Sequence, residues 1–234
     1  MKVLIACEES QTVAAQFRLL GHEAFSCDLQ YCSGGHPEWH IMDDATRLIN
    51  GFCSFYTCDG KLHNLESKWD LLIAHPPCTY MSKAGARWMY PKTGVVDPLR
   101  LELALAAKEF FFQFYNADCP LIAIENPKPL RIVGLPKPTQ IIQPYLFGDP
   151  FSKETWLWLK GLPVLEPTNI LYQYTPYLPS NTSNRCKGKY GSIGVAAWTD
   201  AKIRSKTFNG IASAMASQWS LPVESFELQL SLFD

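Results

Sequence analysis

A chain of 234 residues, 47% of them hydrophobic, carries enough apolar material for one domain with a full core and a small appendage. Its formal net charge of −1 supplies no global attraction to nucleic acid, so any such contact has to come from a local patch. No stretch is long enough to cross a bilayer, and the first apolar run is too short for a signal peptide, which predicts a cytosolic protein whose eight cysteines are reduced.

Val3-Leu4-Ile5-Ala6 is short and unbroken and predicts a buried strand, followed by a helix from Thr12 to Leu20 with Val13, Phe17 and Leu20 on one stripe. Gly21 ends that helix, and Ala24 to Cys27, before Asp28, predicts the second strand. Strand, helix, strand and acid are the opening of a nucleotide-binding α/β fold, in which the acid accepts hydrogen bonds from ribose hydroxyls. The phosphate-binding glycine pattern is missing, and Cys7-Glu8-Glu9-Ser10-Gln11 stands in its place. Two acids at a helix head favour the dipole and repel a pyrophosphate, which suits a nucleoside with a cationic or neutral tail such as S-adenosylmethionine. Glu8 and Glu9 acting purely as helix caps is the competing reading.

Cys27, Cys32, His36 and His40 are spaced as zinc ligands can be, but Cys27 falls in a core strand and Ser33 to Pro37 reads as an irregular loop, so no metal site is assigned. Asp44 belongs at the end of a third strand, where it could meet an adenine amino group. Alternation on either side of Asp59-Gly60 predicts a hairpin over 52–65, inserted beside the parallel sheet.

Leu71-Leu72-Ile73-Ala74 then leads into His75-Pro76-Pro77-Cys78. Such a run suits a parallel strand buried on both faces, with Cys78 just past the carboxyl end, where open α/β sheets bind ligands. The two prolines fix φ and stiffen the loop that holds the thiol. A cysteine used as a small buried hydrophobe is the alternative. Met81 to Val96 reads either as a mobile loop closing over phosphate and base through Lys83 and Arg87, or as a surface loop with chance cations.

Pro98 to Asn116 predicts a helix laying Leu101, Leu105, Ala106, Phe110, Phe112 and Phe114 on the sheet. A second apolar run, Leu121 to Ile124, ends in Glu125-Asn126-Pro127, and as the next parallel strand it brings Glu125 and Cys78 to neighbouring tips, within reach of one planar ligand. Lys128 to Tyr145 reads as irregular, Thr155 to Leu159 as a strand with Ser152, Lys153 and Glu154 at its mouth, and Leu162 to Tyr190 as loop or small lobe. A basic cluster of Arg185, Lys187, Lys189, Lys202, Arg204 and Lys206 precedes a last helix from Thr207 to Trp219.

Pro76-Pro77-Cys78 resembles the nucleophile motif of the DNA cytosine-5 methyltransferases, and Glu125-Asn126-Pro127 resembles their Glu-Asn-Val motif. The family's order is kept, and Asn209-Gly210-Ile211-Ala212 resembles a permuted form of the Gly-Asn motif that returns the last helix to the donor site. The likeness spans nearly the whole chain and is to the short phage-type members in particular, whose Ala-Cys-Glu opening and His-Pro-Pro-Cys-Thr-Tyr segment are shared. It implies a Rossmann-like S-adenosylmethionine-dependent methyltransferase fold with a mostly parallel sheet, and methyl transfer from S-adenosylmethionine to C5 of cytosine in DNA.

The implied site has Cys78 adding to C6 of the base, Glu125 bonded to the base edge and Asn126 bracing the Pro-Pro-Cys loop. The implied donor pocket comprises Ala6, Cys7, Glu8, Asp28, Asp44, His75, Pro76 and Asn209, and the residues holding DNA are Lys83, Arg87, Lys153, Arg185, Lys187, Lys189, Arg204 and Lys206. Residues 1–160 form the catalytic core on this reading, 161–206 a reduced target-recognition or loop region, and 207–234 the returning helix and tail. So short a recognition region implies a separate specificity subunit or a second copy as partner, in the cytoplasm of a bacterial or phage-infected cell. The family's Gln-x-Arg-x-Arg strand is absent, with Gln140 and Lys153 as nearby substitutes. Two other readings stay open: an enzyme of free pyrimidine nucleotides using the same thiol addition, and a silent member of the fold that binds nucleic acid or protein.

Overall fold

Each of the short apolar runs forms a strand. In the computed structural model, which describes residues 1–177 and 205–220, the chain runs β1 (Lys2–Ala6), α1 (Thr12–Leu19), β2 (Glu23–Asp28), β3 (His40–Met42), β4 (Cys53–Tyr56), β5 (Leu62–Leu65), β6 (Leu71–Ala74), α2 (Ala86–Met89), α3 (Pro98–Tyr115), β7 (Leu121–Pro127), β8 (Gln140–Ile142), β9 (Phe151–Ser152), β10 (Thr155–Lys160), β11 (Thr175–Pro176) and α4 (Asn209–Trp219). Seven strands make one sheet in the order β3-β2-β1-β6-β7-β10-β8. The five from β3 to β7 are parallel, and β10 runs antiparallel to both its neighbours. This is the Rossmann-like, mostly parallel α/β architecture expected from the sequence.

Alternation along the strands sends side chains to two separate cores. Val3, Ile5, Leu71, Ile73 and Ala123 face one core with Val13 and Phe17 of α1 and Ile211, Met215 and Trp219 of α4. Leu4, Ala6, Leu72, Ala74, Ile122 and Ile124 face the other, with Phe111 and Phe114 of α3. The sheet is therefore covered on both faces, which is why its strands read as continuous apolar runs. The connection after β1 passes through α1 on one face, whereas that after β6 passes through α3 on the other. The loops leaving β1 and β6 diverge at this point, a topological switch point, which is the position at which such sheets bind ligands.

Asp97 caps α3 by accepting from the Arg100 amide at 2.7 Å, with Pro98 in the first turn. The hairpin β4–β5 forms its own antiparallel pair turned at Gly60, whose φ of 85° suits the glycine there. Gly210 is needed for close approach: a Cβ on it would stand 1.9 Å from the Phe147 carbonyl oxygen. That contact seats the first turn of α4, whose Gly210 amide donates to Asp149 Oδ2 at 3.0 Å.

Several expectations are corrected. Leu20 lies past the end of α1 and is exposed, because the stripe of that helix closes with Phe17. On α3 the buried positions are Ala104, Phe111 and Phe114, while Leu105 and Ala106 face outward. The proline-rich stretch from 128 to 145 contributes β8 to the sheet edge and is not wholly irregular. The stretch from Met81 contains a 3₁₀ turn and α2, pinned by the fully buried Met81 and Met89. No helix among the described residues is long and apolar enough to cross a membrane.

Candidate active site

The parallel register fixes the centre of the site. β6 and β7 pair as far as Ala74 and Ile124, so the next residue on each, His75 and Glu125, project abreast to the face that carries α1 and α4. His75 Nδ1 and Glu125 Oε2 are 3.0 Å apart, with 12% and 10% of their side chains exposed. The His75 amide extends the β1–β6 ladder by donating to the Ala6 carbonyl at 2.9 Å. Thr207, just before α4, donates its hydroxyl to the same Glu125 oxygen at 3.4 Å.

One residue further on, Asn126 points to the opposite face. Its Nδ2 donates to the Pro76 carbonyl oxygen at 2.7 Å, tying the tip of β7 to the Pro-Pro-Cys loop. The Cys78 carbonyl accepts from the Met81 and Ser82 amides at 3.1 and 2.9 Å. Arg100 of α3 donates to the Thr79 carbonyl and stacks 4.4 Å from the Tyr80 ring centroid. Two helical or turn elements and a strand therefore hold the half-buried cysteine.

Four charged or chargeable groups influence one another here. Burial is the largest influence on the Cys78 thiol and pushes it up, Glu125 pushes the same way, and the Lys153 ammonium pulls it down. Burial would raise the Glu125 carboxyl, but the His75 hydrogen bond and charge, then Lys153 and Thr207, hold it below its usual range. For His75, burial acts downward and is outweighed by the Glu125 hydrogen bond and charge together with Glu8, so the imidazole holds its proton more tightly than usual. Lys153 sits in the turn between β9 and β10, its Nζ 5.6 Å from the Phe208 ring centroid and 5.9 Å from that of Tyr177. Cys78, Glu125, Asn126, His75, Pro76 and Lys153 thus belong to one constellation.

The other side of the switch point is built by β1 and β2. Glu8 is buried and its carboxylate accepts from the Val13 amide at 2.6 Å and the Ala14 amide at 3.2 Å. It therefore fills the anion position at the N-terminus of α1. Burial pushes its carboxyl up, against the His75 charge and the two amides. The geometry supports the helix-cap reading of Glu8.

Cys7 has a left-handed φ of 60° directly after Ala6. Its thiol is pushed far up by burial and then by the charges of Asp28, Cys27 and Asp44, which brings both acids to this edge. Asp28 accepts from the Gln30 amide at 2.9 Å, and Asp44 accepts from the Thr46 amide and hydroxyl at 3.0 and 2.9 Å. Asn209 is exposed at the start of α4, and the reach from this segment to Glu125 is made by Thr207.

Lys83 and Arg87 are exposed beyond Cys78, Arg87 lying 4.3 Å from the Trp88 ring centroid. Lys206 donates to Ser33 Oγ at 3.1 Å and so joins the lead-in of α4 to the loop after β2. Arg185, Lys187, Lys189, Lys202 and Arg204 lie outside the described residues.

The four spaced Cys and His residues do not converge. Cys27 donates to the Asp43 carbonyl, His40 bonds Ser26 Oγ and the Gln30 carbonyl at 2.8 Å each, and His36 stacks on Trp39 with centroids 3.8 Å apart. No group of three or more potential metal ligands gathers among the described residues.

Sequence reasoning overlooked Thr207, Ser82 and Arg100, which lie far along the chain from Cys78 or carry no motif. It also put His75 with the donor, although equal-length runs ending in His75 and Glu125 were the signal that the two are neighbours.

No family model matches this chain, and a search of curated proteins finds no significant match. Among solved structures, a candidate DNA modification methyltransferase encoded within an Escherichia coli prophage is similar at 13% identity and a TM-score of 0.41. The match covers 72% of this chain and 51% of that one, so the chain spans about half the length of that protein. At that level of likeness the functional reading rests on the geometry of the site.

Proposed function

We propose that this protein transfers a methyl group from S-adenosylmethionine to C5 of cytosine in DNA through a transient Cys78 adduct. The observation that carries the reading is a half-buried thiol and a buried carboxylate held ionised at the adjacent tips of β6 and β7, both within electrostatic reach of the Lys153 ammonium from the β9–β10 turn. A thiol alone would be a packing residue; a thiol coupled to these charges suits addition to an electron-poor ring.

The residues present fit the donor. Glu8 occupies the helix N-terminus that would otherwise take a pyrophosphate, and Asp28 and Asp44 add negative charge beside Cys7, which suits a nucleoside bearing a sulfonium. Ala6, Cys7, Asp28 and Asp44, with Pro76 on the facing loop, would hold it. When bound, S-adenosylmethionine supplies an electrophilic methyl group.

Cytosine C5 is a poor nucleophile until C6 is attacked. Cys78 as thiolate adds to C6, and the displaced π electrons make C5 enamine-like. Glu125 accepts from the exocyclic amine and so fixes the orientation of the base, and N3 must take up a proton as negative charge develops there during addition. Asn126 keeps the Pro-Pro-Cys loop in register with Glu125. Both reacting carbons are covered in a stacked duplex, so the base enters flipped or from a single strand, with Lys83 and Arg87 on the exposed rim to meet phosphates.

The test is a trapping reaction. An oligonucleotide carrying 5-fluorocytosine is expected to become covalently attached to the native protein in the presence of donor, and to leave Cys78→Ser unlabelled. Absence of an adduct from native protein that demonstrably binds donor overturns the assignment. Running labelled-methyl transfer to DNA, RNA and dCMP side by side identifies the acceptor, and transfer to dCMP alone would move the substrate to the free nucleotide.

A further inference from the structure

His75 stands where the register leaves it, abreast of Glu125 and one residue beyond the buried end of β6. Its tie to Glu125 is 3.0 Å long and both groups are nearly closed off from solvent. The other ring nitrogen, Nε2, is buried with no hydrogen-bond partner among the described residues, so the ring's strong tie is to the carboxylate. Building on the proposed thiol addition, we infer that His75 is a positioning residue that fixes the Glu125 carboxylate and supplies, through it, the proton that N3 of the pyrimidine takes up.

The step balances as follows. The Cys78 sulfur forms a bond to C6, the C5–C6 π pair moves to C4–C5, and the N3–C4 π pair moves onto N3. N3 binds the proton that leaves Nδ1 of the imidazolium and passes through the Glu125 carboxylate, which is ionised before and after the transfer, leaving His75 neutral. When N3–C4 re-forms as a double bond after methyl transfer, the proton returns to the pair.

The groups that face this imidazole account for where its proton sits. Glu125 on β7 bonds it directly, Glu8 in the loop before α1 adds a second carboxylate, Lys153 from the β9–β10 turn opposes them, and Thr207 before α4 shares the Glu125 oxygen. Cys78 lies three residues along on the same loop. A bare carboxylate at this position could only accept from the exocyclic amine; the pair can also give.

The experiment follows the rate of adduct formation with the 5-fluorocytosine oligonucleotide as pH is varied. The native rate is expected to rise with pH while Cys78 ionises, then level off once His75 begins to lose its proton. His75→Gln, which still offers an N–H to Glu125, is expected to react about 100-fold more slowly at pH 6.5, the scale of general acid catalysis. Its rate should continue to climb about tenfold per pH unit without the plateau, while the apparent affinity for the oligonucleotide changes little. An adduct formed by His75→Gln at the native rate with the native profile overturns the inference alone. No adduct from the native protein at any pH overturns it together with the reading beneath it.

Imidazole nitrogen resonances give a second readout that needs no turnover. The His75 signal, identified by its loss in His75→Gln, should titrate above the ordinary imidazole value of about 6.5 and fall in Glu125→Gln. A His75 that is neutral at pH 6, or indifferent to Glu125→Gln, contradicts the proton-holding pair.

Discussion

The addition to C6 proposed for Cys78 requires a thiolate, and burial works against one there. Lys153 is the cation that opposes this burial, from a turn far along the chain. Replacing it by methionine removes the charge and keeps the length, so the thiol pKa should rise further and less thiolate should exist at any given pH. A nearby opposite charge shifts a pKa by about 1–3, so Lys153→Met is expected to slow alkylation of Cys78 by iodoacetamide roughly tenfold at pH 7.5. Peptide mapping by mass spectrometry reads this site by site, and an unchanged rate would remove Lys153 from the constellation. At this scale the sequence disclosed Cys78, Glu125 and Asn126 because each ends an apolar run within a motif. It also put Lys153 near the base. It left the His75–Glu125 pair unstated, since adjacency of the two strands does not by itself set the register that puts these two residues abreast.

The elements were legible where burial is two-sided. β1, β6 and β7 carry continuous apolar runs because α1 and α4 cover one face and α3 the other. β8 escaped because it is a three-residue edge strand between prolines, with Ile141 exposed and Ile142 buried. The reversed direction of β10 escaped because alternation reads the same from either end. The loop after β1 left two readings, and Glu8 decides between them by capping Val13 and Ala14. Loss of a side-chain cap costs about 0.5–2 kcal/mol, so Glu8→Ala is expected to lose roughly that amount in urea unfolding. Glu8→Gln keeps an acceptor for one amide and gives up a carboxylate that burial already disfavours, so it should lie nearer the native value. Equal stability of Glu8→Ala and the native protein would show the cap to be without consequence.

For the molecule as a whole, the divergence of chain after β1 and β6 makes the topological switch point, and on the proposed function the side chains on its β1 side select the donor. A dinucleotide needs the first helix N-terminus for its pyrophosphate, and that position holds the Glu8 carboxylate instead. On the proposed function the remaining wall, with Asp28 and Asp44 in electrostatic reach of Cys7, would attract a positive tail and offer acceptors to a ribose. This part of the reading was available from composition at a loop, because the sign of a charge at a helix head follows from sequence even when its distances do not. S-adenosylmethionine and S-adenosylhomocysteine are accordingly expected to raise the unfolding temperature of the native protein, and NAD and NADP to leave it unchanged. Asp28→Asn retains the side-chain shape but loses the charge. A hydrogen bond to a charged acceptor contributes about 1.5–3 kcal/mol, so this variant should bind S-adenosylhomocysteine at least roughly tenfold more weakly by calorimetry. Between the donor and its product the charge difference lies at sulfur, so loss of the Asp28 charge should weaken S-adenosylmethionine at least as much as S-adenosylhomocysteine, whose sulfur is neutral. A protein stabilised by NAD and indifferent to both sulfur nucleosides would mean that the acid-lined wall serves a different ligand.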